Sequence, residues 1–188
     1  MNYKITLSLI VIITILFQNC TPTNSTSKTE VESTKTVDNQ SQSFEINDFI
    51  TKWENNKTYT LAVLEAMPEE HYDFQPTEEI KSFKAQAAHI VSSFNFQMEF
   101  IGYPNLAKVD ETSKATVIES YTEIFDVIIA HLKTLDTKNL GEEITPFYGR
   151  STKSRMLNLM DNHLAHHRGQ LTVYLRLKGI KPPKYVGW

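Results

Sequence analysis

The chain has 188 residues, a formal charge of −3 from 19 basic and 22 acidic residues, and one cysteine. It contains no run of basic residues and no interleaving of arginine with aromatic residues, so the composition argues against nucleic acid as a partner. Because the single cysteine is Cys20, near the start, the remaining chain has no disulfides, thiolate metal ligands or cysteine nucleophiles.

The first segment, Met1–Asn19, has the pattern of a signal peptide. Lys4 supplies the positive charge, and residues 5–17 form an apolar run that is too short to span a bilayer as a helix. Cys20 follows directly, and a signal peptide that ends at a lone cysteine resembles that of a bacterial lipoprotein. The resemblance implies that Cys20 is lipidated and that the protein is exported and membrane-anchored, on the periplasmic face or at the cell surface. An uncleaved signal anchor is the alternative.

Residues 20–43 form a polar segment rich in Thr, Ser, Asn and Gln. It contains no aromatic residue, and Val31 and Val37 are its only aliphatic residues after Cys20. Such a segment cannot bury enough apolar surface to offset the entropy lost on ordering, so we expect a disordered tether. The tether would join the lipidated cysteine to one folded domain, residues 44–188.

Residues 44–188 are sufficient for a single core and carry four segments of helical periodicity. The predicted helices run from about Asn47 to Ala66, from Ser82 to Ile101, from Ser113 to Leu135, and from an N-cap at Ser151 to a C-cap at Gly179. Irregular connections are expected over Pro68–Lys81 and Asp136–Arg150. His131 lies off the apolar stripe of the third helix and is expected at the surface. Four amphipathic helices without strand-like alternation predict an all-α four-helix bundle.

Three of the six histidines, His163, His166 and His167, lie in one five-residue stretch inside the fourth predicted helix. His163 and His167 are four residues apart among apolar neighbours, so both are predicted on the buried side of one helix face. Two imidazoles one turn apart can bind a divalent ion, and a third donor is then needed. His89, near the start of the second helix, is the candidate. The alternative is a set of hydrogen-bonded core histidines that hold no metal, and Leu164 after His163 excludes an HExxH metalloprotease.

Several motifs of the chain together resemble the DinB family. They are Ala66–Thr77, Ser82-Phe83, Ala88-His89-Ile90, His163–Gln170 and Leu177-Lys178-Gly179. The resemblance covers residues 44–184. It implies a four-helix bundle with up-down-down-up helix order, often dimeric, in which three histidines hold a metal ion. Carried over by motif, the metal ligands are His89, His163 and His167, with zinc or nickel as the ion.

The same motif places three more side chains around the expected ligands. His166 is expected to point away from the metal by about 100°, whereas Arg168 and Gln170 belong to the motif without an evident chemical role. His71 lies in the motif loop and is expected at the surface. If the three histidines are the ligands, metal affinity should fall as the pH drops through about 6.5, where free imidazole protonates.

The resemblance implies an enzyme, because characterised members of the family include thiol-dependent S-transferases and an isomerase, and others are presumed hydrolases. Since thiol cofactors are scarce outside the cell, export favours a small-molecule hydrolase that uses a metal-bound water. The sequence identifies no further catalytic residue. A non-catalytic metal- or ligand-binding lipoprotein is the first alternative, and a purely structural bundle is the second. The partners implied are a small molecule, a membrane reached through the N-terminal lipid, and a second copy of the chain.

Overall fold

A computed structural model of the chain describes residues 45–103 and 105–187. The predicted signal segment Met1–Asn19, Cys20 with the tether, and Trp188 lie outside the described residues. Within that part of the chain, four helices are present: α1 Ile46–Ala66, α2 Phe83–Phe100, α3 Lys114–Thr134 and α4 Lys153–Leu177. None of the described helices combines the length and the apolar character needed to cross a membrane.

Cross-helix contacts establish the helix directions. Lys52 contacts Asp161 and, further along both helices, Thr60 contacts Arg168, so α1 and α4 are parallel. Pairing of Lys57 with Asp126 and of Glu54 with Lys133 makes α3 antiparallel to α1. Contacts of Gln86 with Gln170 and of Ser93 with His163 make α2 antiparallel to α4. The order is therefore up-down-down-up, and the predicted four-helix bundle is confirmed.

The core is centred on three aromatic rings that come from three different helices. Trp53 of α1 lies 5.4 Å from Phe94 of α2 and 5.7 Å from Phe125 of α3, measured between ring centroids. All three side chains are fully buried. Burying a large apolar side chain stabilises a fold by about 1.5–3 kcal/mol, and each aromatic pair adds about 0.5–1.5 kcal/mol.

The helices α2 and α3 begin directly after the predicted starts, Ser82 and Ser113, and each of these serines caps its helix. The hydroxyl of Ser82 accepts a hydrogen bond from the amide of Ala85, and Ser113 forms a capping box with Thr116. The predicted cap of α4 at Ser151 is wrong by one residue, because Thr152 caps that helix. Ser151 instead pairs with a neighbouring strand. A capping side chain satisfies one of the amides that a helix start leaves without a partner.

The connections contain more structure than the sequence predicts. Tyr72, in the connection after α1, is buried, and its hydroxyl donates to the carbonyl of Leu64 over 2.8 Å. Before α4, two two-residue strands, β1 Glu143–Ile144 and β2 Ser151–Thr152, pair antiparallel. The expectation that His131 lies at the surface is wrong in part, because its half-buried ring packs on Tyr103, with centroids 5.3 Å apart.

Candidate metal centre

Three imidazoles converge between α2 and α4. The ring of His89 on α2 lies 5.3 Å from that of His163 and 4.6 Å from that of His167, and the two rings on α4 lie 4.2 Å apart. One nitrogen from each ring lies within 4.8 Å of the other two. Residues separated by 74 positions in the sequence are thus brought to one point. The group forms because α2 and α4 are neighbours in the bundle, which the sequence alone does not establish.

The histidines lie at the edge of the buried face of α4. Met160, Leu164 and Leu171 are fully buried on that helix, whereas His163 and His167 are half-buried, as is His89. The expectation that the pair lies on the buried side is therefore only partly correct. A half-buried position leaves part of each side chain in contact with solvent.

His163 has one nitrogen that is not satisfied by the protein. Its Nε2 lies 3.3 Å from the hydroxyl of Ser93, whereas its Nδ1 is buried and has no hydrogen-bond partner among the described residues. Leaving a buried polar atom unpaired costs about 1–3 kcal/mol. A ligand would remove this cost, because an imidazole nitrogen with a free lone pair can coordinate a cation. The donor set therefore fits a divalent metal.

His167 is oriented by two glutamine side chains. Its Nδ1 lies 2.9 Å from Oε1 of Gln170, an oxygen that accepts a hydrogen bond from the ring when Nδ1 carries the proton. The amide of Gln86 donates to the same oxygen and also contacts Nδ1 of His167. Hydrogen bonds of this kind fix the tautomer and ring orientation of metal-binding histidines.

Gln86 was not identified from the sequence. The signal was present, because Gln86 is three residues before His89 and therefore on the same helix face, in a mostly apolar segment. Its side chain is buried, which is unusual for a glutamine unless it is hydrogen-bonded. Its partners lie on α4, and the sequence does not show which residues those are.

The other residues of the motif face different surroundings. His166 is exposed, its Nε2 lies 3.2 Å from the amide nitrogen of Gln170, and it does not belong to the group of three. Arg168 is only 4% exposed and contacts α1 instead of the histidines. His71 is half-buried in the short 3₁₀ helix Glu69–His71, also apart from the group.

The surroundings keep the three imidazoles neutral. Burial, followed by the positive charge of Lys81, lowers the pKa of His89. Burial lowers the pKa of His163 to about 4, with smaller contributions from the neighbouring histidines. Burial also lowers the pKa of His167, although its hydrogen bond to Gln170 opposes the shift. Since only neutral imidazole binds a metal, protons compete at a lower pH than the value of about 6.5 for free imidazole.

The metal-free protein is expected to lose stability as the pH falls from about 6.5 toward 4. The unfolded chain protonates its histidines near 6.5, whereas folded His163 does so only near 4, so the unfolded state binds more protons in this window. The measurement is the thermal midpoint of chelator-treated protein across this pH range. His163→Gln should flatten the profile, because its side chain does not titrate. Identical slopes for the two proteins would contradict the assignment.

Gln170→Leu is expected to weaken zinc binding by about 10- to 100-fold, because the hydrogen bond that orients His167 is lost. Gln170→Glu is the matched control, since a carboxylate oxygen also accepts from Nδ1 of His167 and should preserve affinity. Competition with a chromophoric chelator measures both constants. Unchanged affinity in Gln170→Leu would show that the ring is held by packing alone.

Comparison with known proteins finds a matching family and relatives in Bacillus subtilis. Residues 33–187 match the DinB family. The uncharacterized protein YjoA of Bacillus subtilis (strain 168) is 28% identical over 142 residues, which are 71% of this chain and 90% of YjoA. The uncharacterized protein YrdA of the same strain is 25% identical over 152 residues, covering 76% of this chain and 88% of YrdA.

Two solved structures share the fold. A DinB-like protein from Bacillus cereus ATCC 10987 superposes with a TM-score of 0.66 at 23% identity, covering 74% of this chain and 97% of that one. The DinB-like protein YjoA from Bacillus subtilis superposes with a TM-score of 0.62 at 27% identity, covering 75% and 99%. The bundle therefore matches nearly the full length of both.

Proposed function

The chain belongs to the DinB family, and from this premise we propose that it binds one divalent metal ion and acts as a metal-dependent enzyme on a small molecule. His89, His163 and His167 would hold the ion, with zinc or nickel as the metal, since both accept imidazole ligands. The observation that carries the proposal is the convergence of three neutral imidazoles, one of which has a buried nitrogen without a partner.

The number of ligands favours catalysis over a structural role. Structural zinc sites are usually closed by four protein ligands, whereas catalytic sites use three and leave a position open. Among the described residues, no carboxylate or fourth histidine joins the group of three. When bound, such an ion acts as a Lewis acid, lowers the pKa of water and can hold an anionic group of a substrate.

The protein contributes orientation and charge around this position. Gln170 and Gln86 hold the ring of His167, and the hydroxyl of Ser93 contacts His163. The ammonium of Lys81 lowers the pKa of His89 and of His167. It therefore adds positive potential to the three-histidine group. This potential would favour a substrate with a negatively charged or strongly polarised reacting group.

Hydrolysis is the reaction class we propose first, with thiol transfer second. The order rests on the proposal that the chain is exported as a lipoprotein, because thiol cofactors are scarce outside the cell. A non-catalytic metal- or ligand-binding protein is the alternative. This alternative is supported by the composition of the three-histidine group. Among the described residues, no carboxylate joins the group to act as a general base.

Metal content and turnover test the proposal together. Protein purified without chelators is expected to contain about one zinc or nickel ion per chain, and stripped protein should regain one when either metal is supplied. The holo protein is then assayed with ester and amide substrates and with a thiol plus an electrophile. Turnover that disappears on stripping and returns with metal supports the enzyme. Stoichiometric metal without turnover favours the non-catalytic alternative, and protein that binds neither metal overturns both.

A further inference from the structure

A cavity of about 530 Å³ lies on the flank of α2, between that helix and the connection to α3. Small-molecule pockets typically enclose about 300–1,000 Å³. One wall is formed by side chains of α2 between Ala88 and Glu99, and the other by side chains of the connection between Asn105 and Glu111. No residue of the three-histidine group is among them.

The wall formed by the connection is held in place by specific hydrogen bonds. The side-chain oxygen of Asn95 accepts from the amide of Leu106 over 2.7 Å, which ties the connection to α2. At the other end, the amide of Asp110 donates to the hydroxyl of Ser120 on α3 over 3.0 Å. Leu106 itself is buried. The cavity is therefore preformed.

The cavity and the three-histidine group lie on neighbouring faces of α2, about 100° apart around the helix. Ala88 immediately precedes His89, and Ser92 immediately precedes Ser93, whose hydroxyl contacts His163. Phe96 is seven residues after His89, which places it on nearly the same side of the helix, about 10 Å along the axis. Phe96 is thus the part of the cavity wall on the side of the histidines, and a molecule that occupied both sites would pass it.

The lining combines an apolar wall with charges at the mouth. Ala88, Val91, Phe96, Leu106 and Val109 supply the apolar part. Glu99, Glu111 and Lys108 are exposed, and neither Glu99 nor Lys108 forms an ion pair with another described residue. Two carboxylates against one ammonium leave the mouth with an excess of negative charge, which favours a cationic group on the ligand.

We infer that this cavity holds the non-reacting part of the substrate, and that the substrate is an amphipathic amine whose polarised head reaches the three histidines. The inference rests on the proposed metal-dependent function. The apolar chain of the substrate would pack on Phe96 and Val109, and its ammonium group would lie near Glu99. The head would then reach the imidazoles about 10–15 Å away along α2.

Hydroxamates test the inference, because their head group binds zinc whatever tail they carry. The zinc-loaded protein is titrated with acetohydroxamate and with straight-chain hydroxamates of about four, eight and twelve carbons, of which only the two longer chains can cover the distance of about 10–15 Å along α2. Each length carries a terminal ammonium, methyl or carboxylate. Affinity is expected to rise at least about tenfold from the shortest to the optimal length, through burial of apolar surface. The ammonium should be the preferred terminus.

Two variants test whether the tail of the hydroxamate binds in the cavity. Val109→Trp fills the cavity and should remove the gain from chain length, while acetohydroxamate binding stays unchanged. Glu99→Gln should remove the preference for ammonium without altering zinc affinity. Val173→Trp, the same change at an exposed position of α4, is the matched control and should behave as wild type.

The outcomes separate the two proposals. If acetohydroxamate binds the zinc-loaded protein but tail length has no effect, the cavity inference is overturned and the metal centre stands. The same holds if the chain-length gain survives Val109→Trp or the ammonium preference survives Glu99→Gln. If neither zinc nor acetohydroxamate binds, the proposed function fails and the inference fails with it.

Discussion

Replacing His163 with alanine is expected to abolish specific zinc binding and the stabilisation that zinc provides. The ring of His163 lies 5.3 Å from that of His89 and 4.2 Å from that of His167, and its removal leaves only two of the three proposed ligands. An ion at one hundred times its dissociation constant stabilises the native state by about 2.7 kcal/mol. For a domain of this size, that corresponds to a shift of about 5–10 °C in the thermal midpoint. The wild-type midpoint should rise with added zinc, and that of His163→Ala should not.

Two other histidine replacements provide the controls. His166→Ala removes an exposed imidazole next to the ligands, and His131→Ala removes the ring that packs on Tyr103. Both variants should bind zinc with nearly wild-type stoichiometry. If His163→Ala retains one tightly bound zinc, or if His131→Ala loses it, the ion is held elsewhere. Calorimetric titration of the three variants with zinc separates these cases.

Arg168→Met is expected to destabilise the metal-free protein by about 3 kcal/mol. The guanidinium donates to the side-chain oxygen of Asn56 over 2.8 Å and to the hydroxyl of Thr60 over 3.3 Å, and it lies 4.7 Å from the ring centroid of Tyr59. Asn56 in turn donates to Asp161, which also binds Lys52 over 2.5 Å. Without Arg168, buried acceptors on α1 lose their donor. Urea unfolding measures the change.

Arg155→Met is the matched control for this substitution. Arg155 is exposed at the start of the same helix, so its replacement should change stability by no more than about 0.5 kcal/mol. The double variant Asn56→Leu/Arg168→Met should be less destabilised than the sum of its single variants, because the two side chains share one hydrogen bond. Equal effects of Arg155→Met and Arg168→Met would show that the network contributes nothing specific.

The sequence predicts those features that depend on local pattern. The apolar period of α3 and the starts of α2 and α3 at Ser82 and Ser113 appear in the structure at the expected positions, because they depend on residues within a few positions of one another. In the middle of α1, by contrast, polar residues interrupt the apolar stripe. Two of them, Asn56 and Thr60, are buried against Arg168, more than one hundred residues away, and no local pattern predicts that contact.

The candidate site was predictable to a similar extent. The spacing of His163 and His167 indicates a shared face, and His89 was assigned by motif. The sequence could not show that a nitrogen of His163 lacks a partner, nor that Gln86 orients His167, because both depend on side-chain positions across two helices. The cavity beside His89 depends on the path of an irregular connection, which periodicity does not describe.

The adjacency of His167 and Arg168 constrains how the protein would adapt to ions of different radius. Arg168 anchors α4 to α1 through Asn56, about 100° around the helix from its neighbouring histidine. Rotation of α4 about its axis, which would increase the distances between the ligands, would break the hydrogen bond between Arg168 and Asn56. A larger ion would therefore be accommodated by displacement of His89, and differences between zinc and nickel forms should be concentrated on α2.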